Sequence, residues 1–410
     1  MGLTISLPVG LTVSLAALAL SSIAQPSYAF SEKDLKKLQE TRQCPRCNLR
    51  DADLRGVFLQ QANLRGANLQ GADLNGVDLQ GSFLYRADLR NADLRNADLR
   101  NVNLYGAQLE GARLGDATLD PRTVIEDRWR LVWELVTHGL GEHDLREVDL
   151  QGANLDGADL RGADLTGALL NGATFEGSFL SGSQFNQAQL NETSFFIADL
   201  QGADLTEIQF RRGSFRAADI RSGNLSSANL NRADLALTYL DSATLTGADL
   251  TRADLSGAYL TQANLTDVQL RNANLFVADF RRAILDGTDL SRARLQGADF
   301  TDTQFSAARL QGTDPEGIRL LNADLEGADL SDLDLRGADL SGGNLRNVQF
   351  INTNLSGVNF QGADLSFTDF SGANLSGANL QQATLEGIEF DIRTNLCGTI
   401  MPDGSEHDCD

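Results

Sequence analysis

Large apolar residues recur at every fifth position over most of this chain. Between Arg86 and Leu104 the sequence reads RADLRNADLRNADLRNVNL: leucine is the centre of each unit, a small residue stands two before it, and Asp or Asn lies between them. The register begins at Leu49 and runs to Leu119 with leucine at all 15 centres. It resumes at Leu145 and continues to Phe390 for 50 more units, whose centres are Leu except for twelve Phe, Ile220 and Pro315. The step from Leu119 to Leu145 is not a multiple of five, so an insertion parts two blocks. A period of five suits neither a helix nor a strand: the leucines would circle a helix axis, and on a strand they would change faces at each repeat. The repeat is therefore a unit of the fold in its own right.

Centre and minus-two side chains, two apart on an extended segment, point the same way, and both are apolar or small. They predict an inward face, with the three remaining positions in water. Two residues after the centre, Gly is commonest, as expected where a type II turn requires positive φ. Each unit then reads as a very short strand ending in a corner. Four of them close a square coil of ~20 residues, and coils stack at ~4.8 Å. Phe175, Phe195 and Phe215, like Phe350, Phe370 and Phe390, lie 20 apart and would form ring ladders on one face.

Units such as ADLRN, ANLRG and ADLSG resemble the pentapeptide-repeat family, whose pattern is A(D/N)LXX. The resemblance covers about four-fifths of the chain and implies an all-β fold, a right-handed quadrilateral β-helix. It implies no single activity, since such families share a shape and not a chemistry. At four units per coil the chain would make about sixteen coils, a rod roughly 75–80 Å long if the blocks are coaxial. The expected organisation is a signal peptide at 1–29, an N-terminal cap at 30–48, repeat block 1 at 49–119, a helical insert at 120–144, repeat block 2 at 145–390 and a C-terminal cap or tail at 391–410.

Residues 1–29 hold no charged side chain, have an apolar run around Leu11 to Leu20, and end in Ser27-Tyr28-Ala29 before Phe30. This predicts export with cleavage between Ala29 and Phe30. The missing basic residue near the start keeps an uncleaved membrane anchor as the alternative. In an oxidising compartment the four cysteines read as disulfides. Cys44 and Cys47 open the first coil and Cys397 and Cys409 follow the last. A rod separates these pairs far beyond the ~4–7 Å a disulfide spans between Cα atoms, which leaves Cys44–Cys47 and Cys397–Cys409 as local staples. Before Cys44, SEKDLKKLQET predicts a short helix with Ser31 at its N-cap and Asp34 three residues on. Leu35 and Leu38 would cover the open end of the coil, a pairing edge. These flanks and the insert resemble those of exported cyanobacterial members of the family.

The insert from Asp120 predicts a helix with a Thr123–Glu126 capping box, an end at His138-Gly139, and an apolar stripe of Ile125, Trp129, Val132 and Val136. Both tryptophans of the chain, Trp129 and Trp133, lie here. Either the helix packs on the rod, or its tryptophans anchor a partner. Pro315, at a centre, predicts a bulged corner.

The formal charge of −22 is uneven: +1 over 30–119, −3 over 120–144 and −20 from Leu145 onward. Solubility explains it most simply. Duplex-DNA mimicry, known in some family members that inhibit gyrase, is the alternative function, but a cytosolic target conflicts with export. Cation binding by the column Asp53, Asp73 and Asp93 competes with neutralisation by Arg55 and Arg95. The histidines His138, His143 and His407 converge with no nucleophile, and His143, at a minus-two slot, reads as packing. No catalytic, cofactor or metal site is expected. The expectation is an exported, non-enzymatic rod acting as a structural or protein-interaction scaffold in a periplasm or thylakoid lumen. Its partners would be proteins, with no nucleic acid and, after signal removal, no membrane; pairing of two copies by ends or faces is left open.

Overall fold

The computed structural model describes residues 30–141, 143–388 and 390–409. The expected leader, including the Ala29 side of its cleavage site, lies outside them; Phe30 packs half-buried on the core. Among the described residues two helices are present, α1 (Glu32–Thr41) and α2 (Asp127–His138). Almost everything else is a stack of single parallel bridging pairs, each joining a residue to the one 20 further on, as in Asp53↔Asp73↔Asp93 and Asn154↔Thr174↔Ser194. Consecutive units make bridges five residues apart in sequence, so one turn uses four pentapeptides.

The corner position two after a centre is left-handed along both blocks, save at their last centres, where Pro121 and Ile392 stand. Gly76 has φ 68° and Gly162 φ 68°, while Asn91, Asn96 and Asn101 hold 57–58°. The hydrogen-bond pattern repeats coil after coil: Leu69 N–H donates to Asp88 O at 2.7 Å, and Asp88 N–H donates to Ala67 O at 2.9 Å. Each backbone thus bonds to the coil above and the coil below, which satisfies its polar groups without long strands. Inside, one continuous core runs from Leu38 to Ala383 through both blocks. Leu54, Leu160 and Leu250 are fully buried, as are the minus-two residues Ala52, Ala163 and Ala248. Where threonine takes the minus-two slot its hydroxyl needs a partner. Thr193 donates to Leu170 O at 2.9 Å and Thr353 to Leu330 O at 2.8 Å, both across to the preceding coil.

The phenylalanine ladders are present. Phe175–Phe195 and Phe195–Phe215 stack at 4.8 and 5.1 Å between centroids, and Phe350–Phe370 and Phe370–Phe390 at 5.4 and 5.8 Å. Phenylalanines ten apart meet differently: Phe185 lies edge-on to Phe175 at 6.3 Å, across the interior from the opposite side.

Several boundaries differ from the leucine register. The coil starts earlier, since Gln43 already pairs with Asn63 and Cys44 fills the first centre. It also runs past Phe390: Asn374 pairs with Asn395 and Asn379 with Ile400, one position beyond the usual step, so a single extra residue is absorbed. The expected bulge at Pro315 does not form. Arg294↔Asp314 and Arg319↔Asp339 keep the step of 20. Proline instead cannot donate to the next coil, and no bond of normal length joins Leu310, Gly312 or Gly317 to it either. The consequence is a loosened seam and not a displaced corner.

Across the insert, Asn103 pairs with Val124, so residues 120–124 still belong to the coil. Gly111 N–H then donates to Gly152 O at 2.7 Å, which joins block 1 directly to block 2 on that side. On the neighbouring side α2 stands in for the missing rung. Trp133 Nε1–H donates to Ala117 O at 2.6 Å, and Thr137 Oγ1 accepts from Asp116 N–H at 3.3 Å.

Candidate interaction surfaces

The repeat turns its outward residues into columns. The Asp or Asn before each centre is where the sequence pattern is most polar, and the structure gives it a local task. Its Oδ1 accepts the N–H of the residue two on, as Asp98 does from Arg100 at 3.1 Å and Asn374 from Ser376 at 3.2 Å. This Asx turn opens the corner. Its prevalence before the centres was the available signal, and it reads in the sequence simply as an outward polar position. Neighbouring amides also link between coils, for example Asn379 Nδ2 to Asn359 Oδ1 at 3.2 Å.

In block 1 the column is salted with arginine. Arg55 spans Asp53 and Asp73 at 2.7 and 3.0 Å, and Arg95 pairs with Asp93 at 2.5 Å. The side-chain hydrogen bonds from Arg55, then the Arg55 backbone N–H, hold the Asp53 carboxyl at about 2. Arg146 does the same to Asp144, also about 2. Burial pushes Asp93 up, but the bonds from Arg95 outweigh it and its carboxyl lies below the ordinary range. Arginine thus neutralises the column that could otherwise attract a cation, and among the described residues no cluster of His, Cys, Asp or Glu has metal-site geometry.

At the N-terminal end Ser31 Oγ accepts from Asp34 N–H at 3.2 Å, so Ser31 caps α1. The Asp34 carboxylate does not return the bond to Ser31. It accepts from Asn48 N–H at 3.0 Å and ties the helix to the first coil. Leu38 is fully buried over that coil and Leu35 half-buried. Cys44 and Cys47 are joined beneath it, with Cα atoms 5.3 Å apart. At the other end Cys397 is joined to Cys409, and Ile400 pairs antiparallel with Glu406, folding the tail back over the last coil.

The insert departs from expectation in its capping, and of the two readings of its helix the structure has the one packed on the rod. The capping box is absent: Glu126 is the N-cap of α2 and makes no side-chain cap bond. Thr123 is buried in the coil, where its hydroxyl donates to Leu99 O at 2.8 Å. Nor are the tryptophans exposed anchors. Trp129 is 2% exposed and packs with Val132 and Leu135 on the core, and Trp133 is half-buried with its N–H spent on Ala117. Both are consumed in closing the junction. His138 meets Trp133 edge-on at 5.3 Å. His143 is exposed and not inward, with Nε2 3.3 Å from Glu134 Oε2. His407 lies in the tail, so the three histidines do not converge. Beside the end of α2 an open cleft of about 560 Å³ is lined by Leu135, His138, Leu140, Asp159 and Arg161.

Among the described residues no helix is long and apolar enough to cross a membrane. A search of curated proteins finds no match. Among solved structures, the chain is similar to HetL, a pentapeptide repeat protein involved in heterocyst differentiation regulation from the cyanobacterium Nostoc sp. strain PCC 7120. Identity is 31% over 63% of this chain and 92% of that one, with a TM-score of 0.20. It is also similar to a pentapeptide repeat protein of the Arabidopsis thaliana thylakoid lumen, at 31% identity over 29% and 75% and a TM-score of 0.16. The third likeness is to QnrB1, a plasmid-mediated fluoroquinolone resistance protein, at 21% over 42% and 92% with a TM-score of 0.24. The family model described as pentapeptide repeats matches in eight copies, from 46–81 and 82–120 through 144–182 and 198–236 to 344–382. With that match over most of its length and the parallel step of 20 beneath it, the chain belongs to the pentapeptide-repeat family.

Proposed function

We infer that this protein is an exported, non-enzymatic scaffold of about sixteen coils that presents flat faces to protein partners. The observation that carries the reading is the filled interior: centres and minus-two residues pack the coil from end to end, and what varies along the chain is the set of outward columns. A rigid core with freely variable columns is suited to recognition by surface. Two disulfides, one at each end, support an oxidising compartment such as a periplasm or thylakoid lumen. Cleavage between Ala29 and Phe30 would release the chain from the membrane; retention of the leader would anchor it.

Acidic mimicry of DNA has less support. The carboxylate columns are broken by asparagine and glutamine, and many carboxylates already hold an arginine, as Asp219 holds Arg221 and Asp279 holds Arg281. The deciding experiment combines mass spectrometry of the mature chain with affinity capture from its native compartment. A chain beginning at Phe30 that retains a protein partner in stoichiometric amount is expected. A cytosolic chain beginning at Met1 that blocks gyrase supercoiling would overturn the scaffold in favour of the mimic.

A further inference from the structure

One corner of block 2 repeatedly breaks, with large apolar residues, the preference for glycine or a polar residue at the left-handed position, which Phe367 breaks singly on the opposite corner. On the first corner Ile197, Leu237 and Val277 occupy it with φ 52°, 60° and 51°. Bulky and β-branched side chains are disfavoured there, and these three stay 55%, 46% and 50% exposed. Phe196 and Phe276, each one residue earlier on the same corner, are exposed as well. The residues lie in one column, because Ile197 N–H donates to Arg216 O, Ala217 to Ala236 O, Leu237 to Ser256 O and Gly257 to Phe276 O. Leu237 Cδ2 lies 2.9 Å from where a Gly257 Cβ would stand, and Val277 Cγ1 3.0 Å from that of Gly297. The large side chains therefore lean over neighbouring glycines. That explains the glycines and leaves the large residues without a structural reason.

The adjacent corner, five residues earlier in each coil, is basic over the same stretch. Arg212, Arg232, Arg252 and Arg292 share its left-handed position at φ 57–62°, and Arg211 and Arg271 stand one residue before it. All six are exposed. Arg212 and Arg271 have only distant carboxylates, Glu192 at 3.9 Å and Asp289 at 3.6 Å. The face between the corners is not free of acid. Asp234 lies there, 3.7 Å from Arg216, and Asp254 there accepts from Asn274 Nδ2 at 2.9 Å. Even so, arginine predominates on this face of a chain whose net charge is −22.

We propose that this face, over residues 191–297, binds an acidic amphipathic α-helix of a partner protein lying along the rod axis. The proposal rests on the scaffold reading and names its partner's chemistry. Charge complementarity selects the acid. Spacing selects the helix: arginines recur at ~4.8 Å per coil, close to the ~5.4 Å of a helical turn, and the apolar positions at ~10 Å match residues seven apart on a helix. The face between the corners is one short strand across, roughly 10 Å at ~3.3 Å per residue, comparable with the ~10–12 Å width of a helix. A planar anionic bilayer touching the apolar corner would also meet Asp199 on the next face.

The test uses the oxidised full chain and a fluorescent synthetic peptide with leucine on one helical face and glutamate on the other. The peptide is long enough for five to six helical turns, so that it spans the whole basic stretch. Saturable anisotropy is expected, weakened at least tenfold by Arg232→Glu with Arg252→Glu, and equally by Leu237→Ser. Arg221→Ala, at a surface pair with Asp219 on the diagonally opposite corner, should leave it unchanged. All these positions are exposed, and circular dichroism verifies the fold. No binding to the wild type, or equal binding by the variants, overturns the proposal. So does sedimentation of the chain with phosphatidylglycerol vesicles when the peptide does not bind, or a dimer that Leu237→Ser dissociates. Photo-crosslinkers at Ser214, on this face, and at Gln304, on the opposite one, separate the two readings in the native compartment. Protein adducts from Gln304 alone would remove this surface and keep the scaffold; adducts from neither would remove the scaffold too.

Discussion

At the scale of the residue, the minus-two slot and the outward Asp or Asn do different work, and substitution distinguishes them. Ala163 is fully buried between coils. Ala163→Glu would bury a charge with no partner, and we expect it to melt the adjoining coils, read as lost protection from hydrogen exchange around 143–183. Arg90, paired with Asp88 at the surface at 2.6 Å, is worth about 0–1 kcal/mol, so Arg90→Ala should leave urea unfolding almost unchanged. Acid behaviour follows from the same pairs. The carboxyls of Asp53 and Asp144 are depressed to about 2, below the ordinary unfolded value of about 3.9. A depressed folded value means the unfolded chain takes up protons first. The stability these groups contribute is therefore present above about pH 4 and fades as pH falls towards 2. Circular dichroism across pH 2–7 should show its loss only in that acid window; unfolding that begins near pH 6 would be inconsistent with it.

At the scale of the element, the coil was legible because the pentapeptide is its own period, with centres and corners in fixed places. The junction was less so. From Ile125 and Trp129 an apolar stripe predicted a helix, but its start depended on whether Thr123 capped the helix or stayed in the coil. Only the pairing of Asn103 with Val124, a long-range contact, decides that. The tryptophans were ambiguous for the same reason: an apolar helix face looks alike whether it meets its own rod or another chain. Since Trp129 is buried, Trp129→Ala should cost about 3–5 kcal/mol. The loss should fall locally, on amides of 109–117 and 150–160, because repeat proteins unfold by neighbouring units. Pro315 lacks a donor, as any proline must, yet it forms no bulge: the stack keeps its register through the loosened seam. Pro315→Leu should restore a donor towards Asp334 and slow amide exchange over 308–318. Unchanged or faster exchange there would mean the seam has another cause.

At the scale of the whole molecule, the architecture depends on closure at both ends and on a register that never slips within the blocks. The ends join α1 to Asn48 and fold the tail onto Ile400, and both places carry a disulfide. Reduction should therefore loosen the terminal coils before the centre. The surfaces were the part least legible in the sequence. Columns only appear once residues 20 apart are stacked, so Ile197, Leu237 and Val277 look like isolated irregularities along the chain and like a ridge on the rod. That stacking is tested most directly by electron–electron distance measurement between spin labels at Ser194→Cys and Asn274→Cys. The two belong to one bridged column, linked in turn through Ser214, Asp234 and Asp254. Four steps of ~4.8 Å predict one narrow distance of about 20 Å. A broad distribution, or a sharp distance far longer than that, would contradict the twenty-residue coil.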